Sequence, residues 1–241
     1  MSSRKKRILI FIDWFYPAYK AGGPIKSVFS LVKQLSIYYD FYIVTSNQEL
    51  DGSELKVATQ RWIEFDGIPI IYLKKTHQNN KYYRRLIVEL KPSILYFNSL
   101  FSFNFTLKPY WLVKKMKITK LIAPRGMFGE GSLAVKPLKK KLFLSWAKLF
   151  FFNDKQNTFW HATSTQEELD IRRALGEEVP IRMARNLIYV SNGNKSKGIL
   201  KRKGELRLVF ISRIHPIKNL LFLLKVLDEL LNDTNTCYLD I

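Results

Sequence analysis

Short apolar runs alternate with stretches of helical periodicity along most of the chain. The runs are rich in Val, Ile, Leu and Phe and lack polar alternation, which is typical of strands buried on both faces of a parallel sheet. This pattern predicts strands over 7–13, 41–46, 68–73, 93–98, 120–123, 158–163, 181–185 and 206–212. It predicts helices over 24–37, 81–90, 105–115, 136–151, 165–175 and 217–231. We therefore expect an α/β fold with a doubly wound parallel sheet.

One segment departs from the alternation of strands and helices. Two apolar runs within residues 62–73 are separated only by Asp66-Gly67, a dipeptide typical of a two-residue hairpin turn. An antiparallel hairpin is therefore expected beside the parallel strands.

The composition changes over residues 191–204, which read SNGNKSKGILKRKG. A polar, basic and glycine-bearing stretch of this kind is typical of an interdomain linker. We expect a full Rossmann-like domain over 1–190 and an incomplete second domain over 205–241, with one strand, one helix and the start of another strand. A piece of about 40 residues is too small to bury a core by itself, so apolar side chains such as Phe210, Leu221, Leu224 and Val226 are expected to be exposed.

Charge adds a constraint on the partners of the protein. The 241 residues include 40 Lys and Arg against 20 Asp and Glu, a formal net charge of +20. This excess predicts an anionic partner, such as nucleic acid, a phosphorylated substrate or a lipid surface. A single cysteine, Cys237, excludes a disulfide framework and fits a reducing compartment.

The apolar segments are too short to cross a membrane. The basic start and the apolar run that follows it imitate a signal peptide, but Asp13 ends the run after five residues. The longest apolar stretch, 142–152, contains Ser145 and Lys148, and a spanning helix needs about 20 residues. We expect a cytoplasmic protein.

Two turns carry candidate chemistry. In Ala21-Gly22-Gly23-Pro24, the glycines let the backbone approach a ligand, and the proline favours a helix start at the carboxyl edge of the sheet, where α/β proteins bind anions. After the strand over 206–212 come Arg213 and, in the first turn of the next helix, Lys218. A lysine in the first turn is unfavourable by about 0.3–1 kcal/mol, because its charge lies near the positive end of the helix dipole. An anion bound by the lysine and the helix start would make the same position favourable. An ordinary turn and two solvated cations are the alternatives.

Five segments together resemble the retaining glycosyltransferases of family 4 in their order and spacing. The segment nearest the C-terminus is the pattern R-x-x-x-x-K from Arg213 to Lys218, which is followed by Asn219-Leu220-Leu221. The segments are Ala21-Gly22-Gly23-Pro24, Ala123-Pro124-Arg125-Gly126-Met127, His161-Ala162-Thr163-Ser164-Thr165-Gln166-Glu167-Glu168, Arg185-Asn186-Leu187-Ile188 and residues 213–218. In the third segment, Ser164 with Glu167 three residues later predicts a capping box, so that segment and His161 are interpreted as structural.

The resemblance implies the GT-B architecture, in which two Rossmann-like domains face each other across the donor site. It implies that Arg213 and Lys218 are catalytic, contacting the donor diphosphate and neutralising charge on the departing group. It implies that the Gly22–Gly23 loop approaches the same diphosphate, and that Arg125 and Gly126 line the acceptor side. The implied reaction moves a sugar, with retention, from a nucleotide-diphosphate sugar to a glycan or lipid-linked acceptor in cell-surface polysaccharide synthesis.

One element of the family pattern is missing. Family members carry two glutamates eight positions apart that hold the donor sugar and ribose, and no such pair occurs here. We therefore expect a donor domain truncated by missing sequence, and weak or no transferase activity if these residues are the whole product. Because no D-x-D pair and no cluster with metal-ligand spacing is present, we expect no metal and no cofactor beyond the sugar nucleotide.

The basic excess leaves several partners open. Residues 136–152 begin with lysines and continue with apolar residues at helical spacing, which fits an interfacial helix on anionic lipid at the inner face of the membrane. An ordinary domain helix is the alternative. A non-catalytic partner subunit of a split glycosyltransferase is a second functional hypothesis. A nucleic-acid-binding protein is a third and less favoured one, because the charges are spread out and no binding motif is visible; we expect no nucleic-acid partner.

Overall fold

The computed structural model describes residues 5–129, 156–189, 205–212, 214, 218–233 and 237–241. They belong to two compact units, Met1–Val190 and Ser191–Ile241, each described below by itself. The predicted helix over 136–151, the predicted linker over 191–204 and the candidate Arg213 lie outside the described residues.

Strands and helices alternate along the first unit, as the apolar pattern predicted. Its strands are β1 Lys6–Ile12, β2 Tyr39–Ser46, β3 Trp62–Phe65, β4 Ile68–Leu73, β5 Ile94–Asn98, β6 Thr119–Ala123, β7 Thr158–Ala162 and β8 Ile181–Met183. Its described helices are α1 Gly23–Leu35, α2 Asn80–Leu90, α3 Lys108–Val113 and α4 Thr165–Leu175.

The described strands of the first unit form one sheet in the order β3-β4-β2-β1-β5-β6-β7-β8. All neighbouring strands are parallel except the antiparallel pair β3 and β4. The chain leaves β1 to one side through β2 and returns to its other side at β5, so the order reverses between β1 and β5. The prediction of an α/β fold with a large, mostly parallel sheet is confirmed.

Both faces of the sheet are buried, which explains the continuous apolar runs. On β1, Ile8, Ile10 and Ile12 pack on the side covered by α1, whereas Leu9 and Phe11 pack on the side covered by α2, α3 and α4. Alternate side chains of a strand point to opposite faces, so a strand between two helical layers needs apolar residues at every position.

The hairpin prediction is also confirmed. Asp66 and Gly67 join β3 to β4, and both have positive φ, 52° and 76°. Positive φ at both central residues is the requirement of a type I′ turn, whose twist matches that of the strands it joins.

One helix differs from its prediction, which placed it over 105–115. The chain first forms a π-helical turn, Phe103–Leu107, and α3 then runs over Lys108–Val113. Ser102 causes the early start. Its hydroxyl accepts a hydrogen bond from Phe105 N (3.0 Å). Its carbonyl accepts from Thr106 N and Leu107 N. A residue that caps a turn in this way fixes where the helix begins.

The second unit contains two parallel strands, β9 Leu206–Val209 and β10 Cys237–Asp240, and the helix α5 Leu220–Asp233. Thus β9 ends before the predicted Ser212. Leu221 and Leu224 are exposed, 74% and 41%, as expected for a small unit. Phe210 and Val226 are half-buried, so the expectation that they are exposed was wrong. None of the described helices is long and apolar enough to cross a bilayer.

Candidate functional site

The carboxyl ends of the parallel strands meet at one edge of the sheet, and polar side chains gather there. Asp13 follows β1, Asn98 ends β5 and Arg125 follows β6. The strand order reverses between β1 and β5, and ligands of open α/β sheets bind in the crevice outside such a reversal. This edge is therefore the candidate functional site.

Arg125 is the most extensively bonded side chain of the site. Its Nε and Nη2 donate to Asn98 Oδ1 (3.1 and 2.7 Å), Nη2 also donates to the Tyr96 hydroxyl (3.1 Å), and Nη1 donates to Asn186 Oδ1 (2.7 Å). All three partners are neutral, and within the described part of the chain Arg125 forms no ion pair. The guanidinium has five N–H donors, so these contacts with the described residues leave one N–H of Nη1 without an acceptor among them.

Asn186 reaches Arg125 because the chain after β8 runs back toward α1. Tyr189 N donates to Ser30 Oγ (3.2 Å), and the Tyr189 ring packs edge-on against Phe29 with the centroids 5.8 Å apart. These contacts draw residues 184–189 across the sheet and bring Asn186 within hydrogen-bond distance of Arg125.

A buried histidine supports the Tyr96 hydroxyl. His161 Nε2 lies 2.8 Å from Ala184 O, which can only accept, so Nε2 carries the proton and Nδ1 accepts from the Tyr96 hydroxyl at 2.7 Å. Burial lowers the pKa of His161 and raises that of Tyr96, which keeps both groups neutral near pH 7. The tyrosine oxygen can then accept from Arg125. His161 is structural, as interpreted from the sequence, and it also orients the arginine.

Glu167 fixes the loop that carries Arg125. Its buried carboxylate accepts from Gly126 N (2.7 Å), Thr163 N (2.8 Å) and the Thr163 hydroxyl (2.6 Å). Ser164 caps α4 by accepting from Glu167 N (3.1 Å), as predicted. A capping box also requires the Glu167 carboxylate to accept from Ser164 N. That part of the prediction was wrong, because the carboxylate accepts from Thr163 and Gly126 instead.

The loop after β6 needs this support because its backbone is in the left-handed region. Arg125 has φ 57° and Gly126 has φ 74°. Only glycine adopts that region freely, so the arginine is held there by its surroundings. Residues in such conformations collect at functional sites.

The glycine turn before α1 lies at the same edge, after β1. Gly22 has φ 77° and ψ −125°, a conformation open to glycine alone. A Cβ on Gly23 would meet no atom within 4 Å, so the space in front of the first helical residue is open. No hydrogen bond within the described residues joins this turn to Arg125.

Buried Glu49 organises the turn. It accepts from Tyr19 N (2.6 Å) and Lys20 N (3.1 Å) through Oε1 and from Leu50 N (2.8 Å) through Oε2. Burial alone would raise the pKa of this carboxyl, but the three backbone N–H groups outweigh it and hold the pKa below its ordinary value. The backbone donors of Tyr19 and Lys20 are therefore occupied, and Gly22 N donates within the same turn to Tyr19 O (3.1 Å).

Asp13 was not singled out from the sequence as a site residue. Its carboxylate accepts from the Ser102 hydroxyl at 2.6 Å, and burial raises its pKa to about 6. The sequence did contain a feature that could have pointed to Asp13, because its carboxyl directly follows the first buried strand. Its partner, 89 residues away, could not be identified without the strand order.

Asn98 was also missed. Its side chain is 1% exposed, its oxygen accepts twice from Arg125, and within the described residues its Nδ2 has no hydrogen-bond partner. A buried donor without a partner is rare in folded proteins and is commonly satisfied by a ligand or a water molecule.

The predicted site residues divide between the two units. Gly22, Gly23, Arg125 and Gly126 lie at the carboxyl edge of the first unit, whereas Lys218 is an exposed residue just before α5 in the second. Within the described residues no cluster of His, Cys, Asp and Glu is arranged to hold a metal ion. A scan of protein-family models finds no match to this chain, and a search of curated proteins finds none either.

We expect the substitution Asp13→Asn to stabilise the protein in a pH-dependent manner. A raised pKa means that the folded state favours the protonated carboxyl, so this contribution is present at pH 4 and is lost as the pH rises through about 6. Asparagine stays neutral and keeps an acceptor for Ser102. Urea unfolding should show a gain of about 2–3 kcal/mol at pH 8 and little at pH 4.

The matched control for this prediction is Asp51→Asn. Asp51 is exposed, and its hydrogen bond from Lys20 lowers the pKa of its carboxyl, so its substitution should give no gain at pH 8. An equal effect of Asp13→Asn at both pH values would contradict the raised pKa.

Proposed function

We propose that the protein is a retaining glycosyltransferase of the two-domain GT-B type, acting on a nucleotide-diphosphate sugar and a glycan or lipid-linked acceptor. The observation that carries the proposal is Arg125, a guanidinium at the carboxyl edge whose hydrogen-bond acceptors among the described residues are all neutral. Such a charge is prepared to pair with an anionic group, to which guanidinium hydrogen bonds are strong and directional.

The glycine turn supports the same proposal from the other side of β1. Open space at Gly23 and the start of a helix of 13 residues place the positive end of a helix dipole where a diphosphate would lie. In this proposal Gly22 shapes the turn and Gly23 leaves room for the phosphates. Arg213 and Lys218 keep the role that the resemblance implies for them, contact with the departing diphosphate.

The carboxyl of Asp13 fits a ligand rich in hydroxyl groups, because a carboxyl with a pKa of about 6 can accept from a sugar hydroxyl. Asn98 is buried and contributes by holding Arg125. Asp13 and Arg125 form a polar wall suited to a phosphorylated or lipid-phosphate-linked sugar. The proposed setting is the assembly of cell-surface polysaccharide at the inner face of the membrane, without a metal ion or another cofactor.

Titration calorimetry with a panel of nucleotide-diphosphate sugars and their nucleoside diphosphates tests the proposal. We expect at least one sugar nucleotide to bind with a Kd below about 1 mM, and release of the nucleoside diphosphate when a glycan or lipid-linked acceptor is added. If no member of the panel binds, the proposal is wrong.

Gly23→Val should separate folding from donor binding. A Cβ at Gly23 meets no atom within 4 Å, so we expect the unfolding free energy to change by less than about 1 kcal/mol. The same side chain would occupy the space proposed for the diphosphate, and we expect the Kd of the sugar nucleotide to rise at least tenfold. Gly23→Ala should have a smaller effect. An unchanged Kd for Gly23→Val would remove the glycine turn from the donor site.

A non-catalytic partner subunit is the second candidate function. The exposed apolar side chains of the second unit favour it, because Leu221 and Phe222 are 74% and 62% exposed and would be covered by further polypeptide. A chain that binds no sugar nucleotide alone, and acquires transferase activity when mixed with a second polypeptide, would favour this candidate over the first.

A further inference from the structure

The segment from Lys74 to Lys117 carries much of the positive charge of the chain. It contains ten Lys and Arg residues and a single acidic residue, Glu89. All of these residues lie in the first unit, on or next to α2 and α3. In the sequence, this segment overlaps neither the lysines at 136–141 nor the glycine turn at Gly22 and Gly23.

The two helices present one common surface. Both pack on the same face of the sheet, through the core that contains Leu86 of α2 and Val113 of α3. Lys108 Nζ donates to Gln78 O (2.8 Å) and Asn104 Nδ2 donates to Gln78 Oε1 (2.8 Å), which fastens the start of α3 to the turn before α2.

The outer side of α2 carries three exposed cations and one exposed aliphatic residue. The outer stripe of α2 consists of Lys81, Arg84, Arg85, Val88 and Glu89, because the other side chains from Tyr82 to Ile87 face the core. Glu89 approaches Arg85 at 3.5 Å, and no other carboxylate of this stripe offsets the charge.

Aromatic rings beside ammonium groups continue this surface onto α3 and the π-helical turn. Lys108 lies 5.1 Å from the centre of the Phe103 ring, and Lys114 lies 5.1 Å from that of Trp111. Phe103, Trp111 and Val88 are 66%, 49% and 59% exposed. Aromatic residues with neighbouring lysines are enriched where proteins meet the polar headgroups of a membrane.

A groove of about 700 Å³ opens on this surface along α2. Its lining includes His77, Lys81, Arg84 and Arg85. A groove with several cationic side chains and one partly offsetting carboxylate suits the phosphate of a lipid headgroup.

We propose that the α2–α3 face, defined by Lys81, Arg84, Arg85, Val88, Phe103 and Trp111, docks the protein on an anionic lipid bilayer. The cations bind the charged headgroups, and the three exposed apolar side chains enter the boundary between headgroups and acyl chains. Docking through this face is independent of the proposed transferase activity.

A bilayer fits the face better than a nucleic acid does. Nucleic acids would use the cations and stack on the aromatic rings, but they offer no apolar surface to cover an aliphatic residue such as Val88. A bilayer covers all three apolar side chains and neutralises the cations at once.

Vesicle cosedimentation with the full chain tests the proposal, using phosphatidylcholine vesicles with and without about 30% anionic phosphatidylglycerol. We expect binding to the anionic vesicles and at least tenfold weaker partitioning of a variant carrying Lys81→Glu, Arg84→Glu and Arg85→Glu, all exposed cations of α2. The control carries Lys6→Glu, Lys26→Glu and Lys56→Glu, exposed lysines away from the α2–α3 face with the same change in charge. It should lose less than threefold.

A second variant separates insertion from charge. Phe103→Ser with Trp111→Ser keeps every cation, and we expect at least threefold weaker partitioning at moderate salt. Equal losses in the two charge variants would overturn the proposal, as would unchanged partitioning of the serine variant. A preference for a random oligonucleotide over anionic vesicles at physiological salt would overturn it as well.

Discussion

Replacing Glu167 by alanine is expected to destabilise the protein by about 3–5 kcal/mol, the largest stability effect that the site predicts. The carboxylate is 6% exposed and accepts hydrogen bonds from Gly126 N, Thr163 N and the Thr163 hydroxyl. Its removal leaves three donors without their acceptor, and hydrogen bonds to a charged group contribute more than neutral ones. Urea unfolding of the full chain, followed by circular dichroism, measures the loss.

The neighbouring residue provides a matched control. Glu168 lies on the same helix and pairs with Arg172 at 2.8 Å, but this pair is near the surface. Because such pairs contribute about 0–1 kcal/mol, Glu168→Ala should have a small effect. Similar losses for the two alanine variants would contradict the role assigned to Glu167.

Glu167→Gln distinguishes charge from shape. The glutamine keeps the length of the side chain, but its NH₂ group faces donors where the carboxylate offers an acceptor. We expect a loss between those of the wild-type protein and the alanine variant. Because Gly126 N is one of the three donors, the same substitution should also loosen the loop that positions Arg125.

The sheet could be predicted from the sequence because its signals are local. A run such as 8–12 is apolar at each position only where both faces of a strand are buried, and Asp66-Gly67 defines its turn by backbone conformation alone. The start of α3 was misplaced because Ser102 determines it through a π-helical turn, for which the apolar spacing gives no sign.

The site could be predicted only in part, because its contacts join residues far apart in the chain. The turn at Gly22 was singled out by its residues and Arg125 by resemblance, but the bonds that hold the turn and the arginine involve Glu49 and Asn186, which lie 27 and 61 positions away. Such pairs depend on the order of strands in the sheet and on the return of the chain after β8. Hydrophobic periodicity predicts the strands but does not determine their order.

Arg125→Ala is expected to lower kcat/KM for transfer to the acceptor at least 100-fold, which corresponds to about 2.7 kcal/mol of transition-state stabilisation. The expectation rests on the proposed function and on a guanidinium that is held by Asn98, Tyr96 and Asn186 with one N–H of Nη1 left for an anionic group. The resemblance assigns Arg125 to the acceptor side. The Kd of the sugar nucleotide should therefore change less than threefold, in contrast to Gly23→Val.

Arg125→Lys tests geometry at constant charge. A single ammonium group cannot reach Asn98 and Asn186 in the way that the planar guanidinium does, so at least half of the loss in activation free energy should remain. Arg182→Ala is the control for charge, because Arg182 stacks on Phe159 at 4.9 Å in the same unit and belongs to β8. A lysine variant as active as the wild-type protein would show that Arg125 acts as a point charge, and an alanine variant with unchanged kcat/KM would remove it from the acceptor site.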